Sequence, residues 1–257
     1  MLDPYRPMPQ NPVNSESDNV ALLDVGNTAI KLGFADGDTG DVRGCHTVVS
    51  ASDCRDKLET MGGGTLYYSS VRSGFDPQSA CPLSGWEIMS AKESVNSCGI
   101  EFLPNLDVGV DRKVACVAAR TKHGEPVLVI TAGTATTVSA VNSGRCDFAV
   151  IWPGLEVSLK AITESTHIST PDLFPTTATL ADVTSLTESV TIGVLSSTVA
   201  VIERWVAHFE NLWGTRPALV VAGGYAEPIS AHLETEHHLE SYLVIEGLAM
   251  MATGALG

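Results

Sequence analysis

The segment Asp24-Val25-Gly26-Asn27-Thr28-Ala29-Ile30-Lys31 gathers the residue types that handle phosphate. Asp24 closes an apolar run, where a carboxylate is unfavourable unless a cation or a hydrogen-bond donor meets it. Gly26 permits close approach of a ligand to the backbone. Asn27, Thr28 and the N–H groups of the turn can donate to phosphate oxygens, and Asp24 can hold a hydrated Mg²⁺. The plain alternative is a hairpin turn in which Asp24 caps its own loop; the Asn-Thr pair and the following Lys31 favour phosphate. A second turn, Thr131-Ala132-Gly133-Thr134-Ala135-Thr136-Thr137, offers the same glycine and hydroxyls. Its alternative is a Thr-rich strand of high β propensity. Gly109-Val110-Asp111-Arg112 falls at an expected loop-to-helix junction. Asp111 is there either a helix cap paired with Arg112, or a general base with Arg112 holding an anionic group of a substrate. Pro153-Gly154 and Gly223-Gly224 are ordinary turns unless their backbones line a cleft. His237-His238 lie in an acidic stretch without zinc-ligand spacing. The P-loop, the nucleophile elbow and the dinucleotide G-x-G-x-x-G fingerprint are all missing from the sequence.

The elements that position these residues follow from periodicity. Val20–Val25 reads as a buried strand entering a tight turn, and Ala29–Phe34 as its hairpin partner, ended at Asp36-Gly37-Asp38. Thr47–Ser50 reads as a third strand, residues 52–61 as a helix capped by Ser52 or Asp53, Leu66–Val71 as a strand and residues 111–120 as a helix. Pro126–Ile130 and Val138–Val141 then repeat the opening plan around the second turn. Asp24 and Thr131 are 107 positions apart (131 − 24). The repetition predicts two domains of like topology, with the two turns facing one another across a cleft. Leu155–Glu164 and Val190–Phe209 read as helices, Leu219–Val221 as a strand, and residues 241–252 as a strand tip with a closing helix. The expected organisation is a tail over 1–19, a first domain over 20–121 and a second over 122–257.

Composition bounds the function. The 257 residues carry 15 basic and 30 acidic side chains, a net charge of −15, with 44% apolar and 18% charged residues. That is a globular composition, and its charge opposes nucleic acid and anionic membranes. The six cysteines are scattered with no C-x-x-C pair, which fits a reducing compartment. The first 19 residues contain four prolines and read as a disordered tail without the features of a signal peptide. No run is read as approaching the ~18 apolar residues of a membrane helix. The expectation is a soluble, cytoplasmic protein.

Taken in order, the motifs resemble the type III pantothenate kinases, within the acetate and sugar kinase/Hsp70/actin superfamily. "DVGNTAIK" resembles the family's first phosphate motif, "GVDRKVACVAA" its G-x-D-R-x(5)-A-A motif, and "AGTATT" its second phosphate motif. "IWPGLEVSLKAI", "VVAGGYAEPI" and "YLVIEGLAMMA" are similar to three further family segments, so the likeness runs from Val20 to Leu256. It implies an α/β fold of two RNase H-like (actin-like ATPase) domains with an interdomain nucleotide cleft. It also implies a homodimer, and transfer of the ATP γ-phosphoryl group to the primary hydroxyl of pantothenate, at the entry to coenzyme A synthesis. Mg²⁺ and a monovalent cation, K⁺ or NH₄⁺, are implied cofactors. By the same resemblance Asp111 is the catalytic base, and Gly109 and Arg112 seat pantothenate. Asp24 organises Mg²⁺ with the nucleotide, and Gly26, Asn27, Thr28 and Lys31 face phosphates, as do Gly133, Thr134 and Thr136. The chain departs from the family at Thr131, where the second motif begins with Asp, and at Ser139, another family Asp. It departs again at Asp147-Phe148, where glycines are replaced, and at Ser185-Leu186, in place of an Asn-Thr pair that contacts pantothenate; Thr184 or Thr187 is a possible substitute. These departures set up the alternative, a non-catalytic or weakly active relative that binds nucleotide or a pantothenate-like ligand in a regulatory role.

Overall fold

Six residues, Val-Ala-Leu-Leu-Asp-Val, form strand β1 (Val20–Val25), in which only Asp24 escapes full burial. The computed structural model describes residues 20–48, 50–80, 84–166, 183 and 185–256; the expected tail over 1–19 and Thr184 lie outside them. An apolar run of this kind belongs to an inner strand covered on both faces. β1 pairs antiparallel with β2 (Ile30–Ala35), which pairs antiparallel with β3 (Val42–Val48). On its other edge β1 pairs parallel with β4 (Gly64–Ser70), and β4 with β5 (Trp86–Ser90). The order is therefore β3-β2-β1-β4-β5. Helix α1 (Ala51–Glu59) links β3 to β4. Its Cys54 and Leu58 cover Ala21, Leu23 and Val25 on one face of the sheet. Its N-cap is Ser50, whose hydroxyl accepts from the Asp53 N–H at 3.1 Å, two or three residues ahead of the expected caps. β3 ends at Val48 and is longer at its start than the expected strand.

Short helices α2 (Pro77–Ala80) and α3 (Ala91–Ser94), a 3₁₀ turn over Val95–Ser97 and the two-residue strand β6 (Glu101–Phe102) lead to helix α4 (Val110–His123). In α4 every residue from Val114 to Ala119 is buried. A helix buried all round needs small side chains where neighbours come close.

The second unit repeats the first. β7 (Val127–Ala132) has the burial pattern of β1 position for position, with Thr131 where β1 has Asp24. It pairs antiparallel with β8 (Ala135–Asn142), and β8 with β9 (Arg145–Pro153). Helices α5 (Leu155–Thr166) and α6 (Leu186–Trp213) follow. Then β10 (Ala218–Ala222) pairs parallel with β7, and after helix α7 (Ala226–Ser230) strand β11 (His238–Glu240) pairs parallel with β10. The strand plan matches that of the first unit: an antiparallel β-meander followed by two parallel strands. Both units are RNase H-like.

Helix α6 begins four residues before the expected helix and ends four after it. It is long and apolar enough to cross a membrane, with mean hydropathy 1.4 over its best window, which corrects the reading that no run approaches that length. Its Leu195, Val199, Ile202, Val206 and Phe209 pack on Leu128, Ile130, Val138 and Ala140 as the core of the second unit. The final helix, α8 (Leu243–Thr253), differs most from expectation. The two compact units are residues 1–122 with 242–257, and residues 123–241. The last sixteen residues thus belong with the first unit, not with the span 122–257. Gly33 of β2 lies so close to Ile245 of α8 that a Cβ there would meet the Ile245 side chain, and Gly247 is equally tight against Val114 of α4.

Candidate functional site

In the first unit, β1 alternates its side chains, so Asp24 lies on the face opposite the one that Leu23 and Val25 turn toward α1. Lys31 stands across from it on β2 and Ser69 on β4. The Ser69 hydroxyl donates to Asp24 Oδ1 at 2.8 Å. Burial pushes the Asp24 carboxyl up from 3.8 to about 6, and the charge of Asp111 pushes the same way, while Ser69 and Lys31 pull back. Sequence reading had Lys31 but not Ser69, because β-sheet partners from another segment carry no local signal.

The chain turns at once. The Gly26 N–H donates to the Ala29 carbonyl at 3.0 Å, leaving Asn27 and Thr28 exposed at the tip. Behind the turn, Arg72 donates from Nε to the Gly26 carbonyl at 2.8 Å and from Nη2 to the Asn27 carbonyl at 3.3 Å. Arg72 was not singled out in the sequence. Lys31 Nζ lies 6.0 Å from the ring centroid of Tyr242, the residue before α8.

Asp111 occupies the first turn of α4, with Gly109 accepting the first helical hydrogen bond from the Lys113 N–H at 3.0 Å. Burial raises the Asp111 pKa; the Arg112 N–H and guanidinium and its own N–H oppose the rise. One carboxylate oxygen, Oδ1, is buried without a hydrogen-bond partner among the described residues. Gly109 makes room for it: a Cβ there would sit 2.6 Å from that oxygen. Arg112 donates from Nη2 to the Asp107 carbonyl at 3.1 Å. Asp24, Lys31, Asp111, Arg112 and Gly109 therefore all belong to one unit, with Asp111 close enough to oppose the ionisation of Asp24.

The second unit holds the other expected set. Thr131 pairs with Thr137 across β7 and β8, and their hydroxyls bond at 2.6 Å. Position 131 is thus a neutral hydroxyl pair where the equivalent position of β1 holds a carboxylate. The Gly133 N–H donates to the Ala135 carbonyl at 3.0 Å. Thr134 is exposed, whereas Thr136 is fully buried with Oγ1 unpartnered among the described residues. Two glycines press on this turn. A Cβ on Gly154 would meet the Thr134 carbonyl oxygen at 2.6 Å, and one on Gly223, already at φ +103°, would meet the Ala132 carbonyl carbon at 2.8 Å. Tyr225 fastens the two glycine loops together. Its N–H donates to the Ala132 carbonyl at 3.0 Å and its hydroxyl to Glu156 at 2.8 Å. Glu156 also pairs with Lys160 at 2.5 Å.

The remaining departures take structural roles. Ser185 is the N-cap of α6 in a reciprocal capping box with Glu188, and Leu186 is exposed. Ser139 is buried in β8. Phe148 packs on Trp205 and Phe209. His238 stacks on His123 at 4.0 Å, and His123 pairs with Glu240. No cluster of three metal-ligating side chains occurs among the described residues.

Comparison with known proteins adds a second line. Residues 21–208 match a family model described as type III pantothenate kinase. The chain is 29% identical over 242 residues to the type III pantothenate kinase of Dechloromonas aromatica (strain RCB), spanning 91% of this chain and 98% of that one. It is 28% identical over 143 residues to the type III pantothenate kinase of Persephonella marina, 55% of this chain and 56% of that one. Among solved structures it resembles a conserved Baf family protein from Campylobacter jejuni. The TM-score is 0.61 at 16% identity, over 91% of this chain and 98% of the other, a likeness of fold alone.

Proposed function

The chain belongs to the type III pantothenate kinase family, and from that premise we propose that it phosphorylates pantothenate with ATP to give 4'-phosphopantothenate, the first step of coenzyme A biosynthesis. The observation that carries the chemistry is the unpartnered, buried Oδ1 of Asp111 at the start of α4. An orphaned carboxylate oxygen is costly unless a ligand completes it, and a substrate hydroxyl is the fitting donor.

In this reading Asp111 takes the proton of the pantothenate hydroxyl as that oxygen attacks the γ-phosphorus and the bond to ADP breaks. Arg112 and the Gly109 backbone hold the pantothenate in line. Gly26, Asn27, Thr28 and Lys31 contact the triphosphate; Gly133, Thr134 and Thr136 form the second phosphate motif of the family likeness, with Thr134 exposed at its turn. Phosphoryl transfer asks the protein chiefly to position groups and neutralise charge. Asp24 fits a role toward Mg²⁺. It is an oxygen donor whose charge is opposed by Asp111, an opposition that a divalent cation relieves, and Mg²⁺ commonly takes one or two carboxylates plus substrate phosphates. Bound there, the metal neutralises phosphate charge. Thr131 supplies no such charge, so of the two equivalent strand positions only Asp24 serves the metal. Dependence on K⁺ or NH₄⁺, a homodimeric state, a cytoplasmic location and no association with nucleic acid or membranes extend the same proposal.

The rival reading, a non-catalytic ligand-binding relative, rests on the lost carboxylate at 131. It is not favoured, because the relatives matched are named as kinases. The test is to incubate purified protein with ATP, Mg²⁺, K⁺ and pantothenate and to follow products by mass spectrometry. The expected result is phosphopantothenate and ADP in equal amounts. ADP without phosphopantothenate overturns the acceptor, and no turnover overturns the kinase reading.

A further inference from the structure

Arg72 follows β4 and reaches the turn between β1 and β2 from behind. Its own N–H donates to the Ser70 hydroxyl at 3.1 Å. The adjoining Val71 N–H donates to the Val25 carbonyl at 3.2 Å, anchoring the segment to the end of β1. The guanidinium then grips two successive carbonyls, Gly26 at 2.8 Å and Asn27 at 3.3 Å. A trans peptide is planar, with its C=O and N–H pointing in opposite directions. Fixing the Gly26 carbonyl therefore fixes the Asn27 N–H, and fixing the Asn27 carbonyl fixes the Thr28 N–H, both directed away from the guanidinium. The fork of an arginine suits two acceptors at once, and lysine cannot reproduce it.

We infer that Arg72 is the positioning residue of the first phosphate turn: it orients the Asn27 and Thr28 N–H groups toward the triphosphate without touching the acceptor substrate. Its positive charge adds attraction for a polyphosphate in a unit where Asp24 and Asp111 supply negative charge. The same segment serves the base, because Val71 is the nearest side chain beyond Asp111 that a Cβ on Gly109 would meet, at 3.5 Å. One stretch, Ser69 to Arg72, thereby holds the metal-side carboxylate, the turn and the approach to the base.

The inference rests on the kinase reading, and the experiment separates the two. Arg72→Ala and Arg72→Lys are compared with wild type for the KM of ATP, the KM of pantothenate, and direct binding of ATP and of adenosine. Charge-assisted hydrogen bonds of this kind correspond to about a 10-fold change. Arg72→Ala is expected to raise the KM and Kd of ATP about 10-fold and Arg72→Lys about 3-fold. Adenosine binding and the KM of pantothenate should stay within about 2-fold, and millimolar guanidinium should partly restore Arg72→Ala. A KM for ATP within 2-fold of wild type in both variants overturns the inference, as does an equal loss of adenosine and ATP binding. If Arg72→Ala does not fold, as judged by circular dichroism, Arg72→Lys alone decides by the same criteria. A wild-type protein that neither binds ATP nor phosphorylates pantothenate overturns the kinase reading, whatever the variants do.

Discussion

Burial raises the Asp24 pKa, the charge of Asp111 adds to the rise, and the effect on stability has a measurable sign. With Asp24 raised from 3.8 to about 6, the folded protein binds more protons than the unfolded chain between those two values. Stability therefore falls as pH rises through that window and stays lower above it. Asp24→Asn removes the penalty and keeps an acceptor for Ser69. It is expected to stabilise the protein by about 3 kcal/mol at pH 7.5, with the gain vanishing below pH 4. Urea unfolding at the two pH values checks this, and a loss of stability at pH 7.5 contradicts it. The kcat/KM of wild type should fall on the acid side as Asp24, with a pKa of about 6, takes up its proton.

At the scale of elements, the turn residues work only because glycines leave space. Gly109→Ala places a Cβ 2.6 Å from Asp111 Oδ1, in a φ range that alanine tolerates. The expected outcome is a folded protein whose kcat falls about 100-fold, within the range attributed to general-base catalysis, with a melting temperature within about 3 °C of wild type. Circular dichroism and steady-state kinetics read both. The two central strands were legible because each is an apolar run broken at one position, Asp24 or Thr131, before a small-residue turn. β9 was not, since only Cys146 is fully buried in it and half-buried or exposed positions blur the period. The start of α6 was misplaced although Ser185-Leu186-Thr187-Glu188 has the capping-box spacing. Its polar first turn hides the helical stripe, and family likeness drew attention to Ser185 as a ligand contact instead. Ser69 and Arg72 act on residues more than forty positions away, a distance over which a single sequence gives no pairing signal.

For the whole molecule, the repeated strand plan was readable from two similar turns, but the allegiance of the last helix was not. The apolar composition of α8 says that it is buried, without saying against which sheet. Deleting residues 242–257 uncovers the face of the first unit that holds Leu22 and Gly33. Hydrogen exchange should then lose protection in β1 and β2 while β7 and β8 keep theirs. Loss confined to β7 and β8 contradicts the assignment. The most direct test of the account is the rate of phosphopantothenate formation by Asp111→Asn in a single turnover with Mg²⁺ and ATP, measured beside ATP binding. The expected result is a fall of about 10³-fold in rate with ATP affinity within about 2-fold of wild type. A rate within a few-fold of wild type contradicts it.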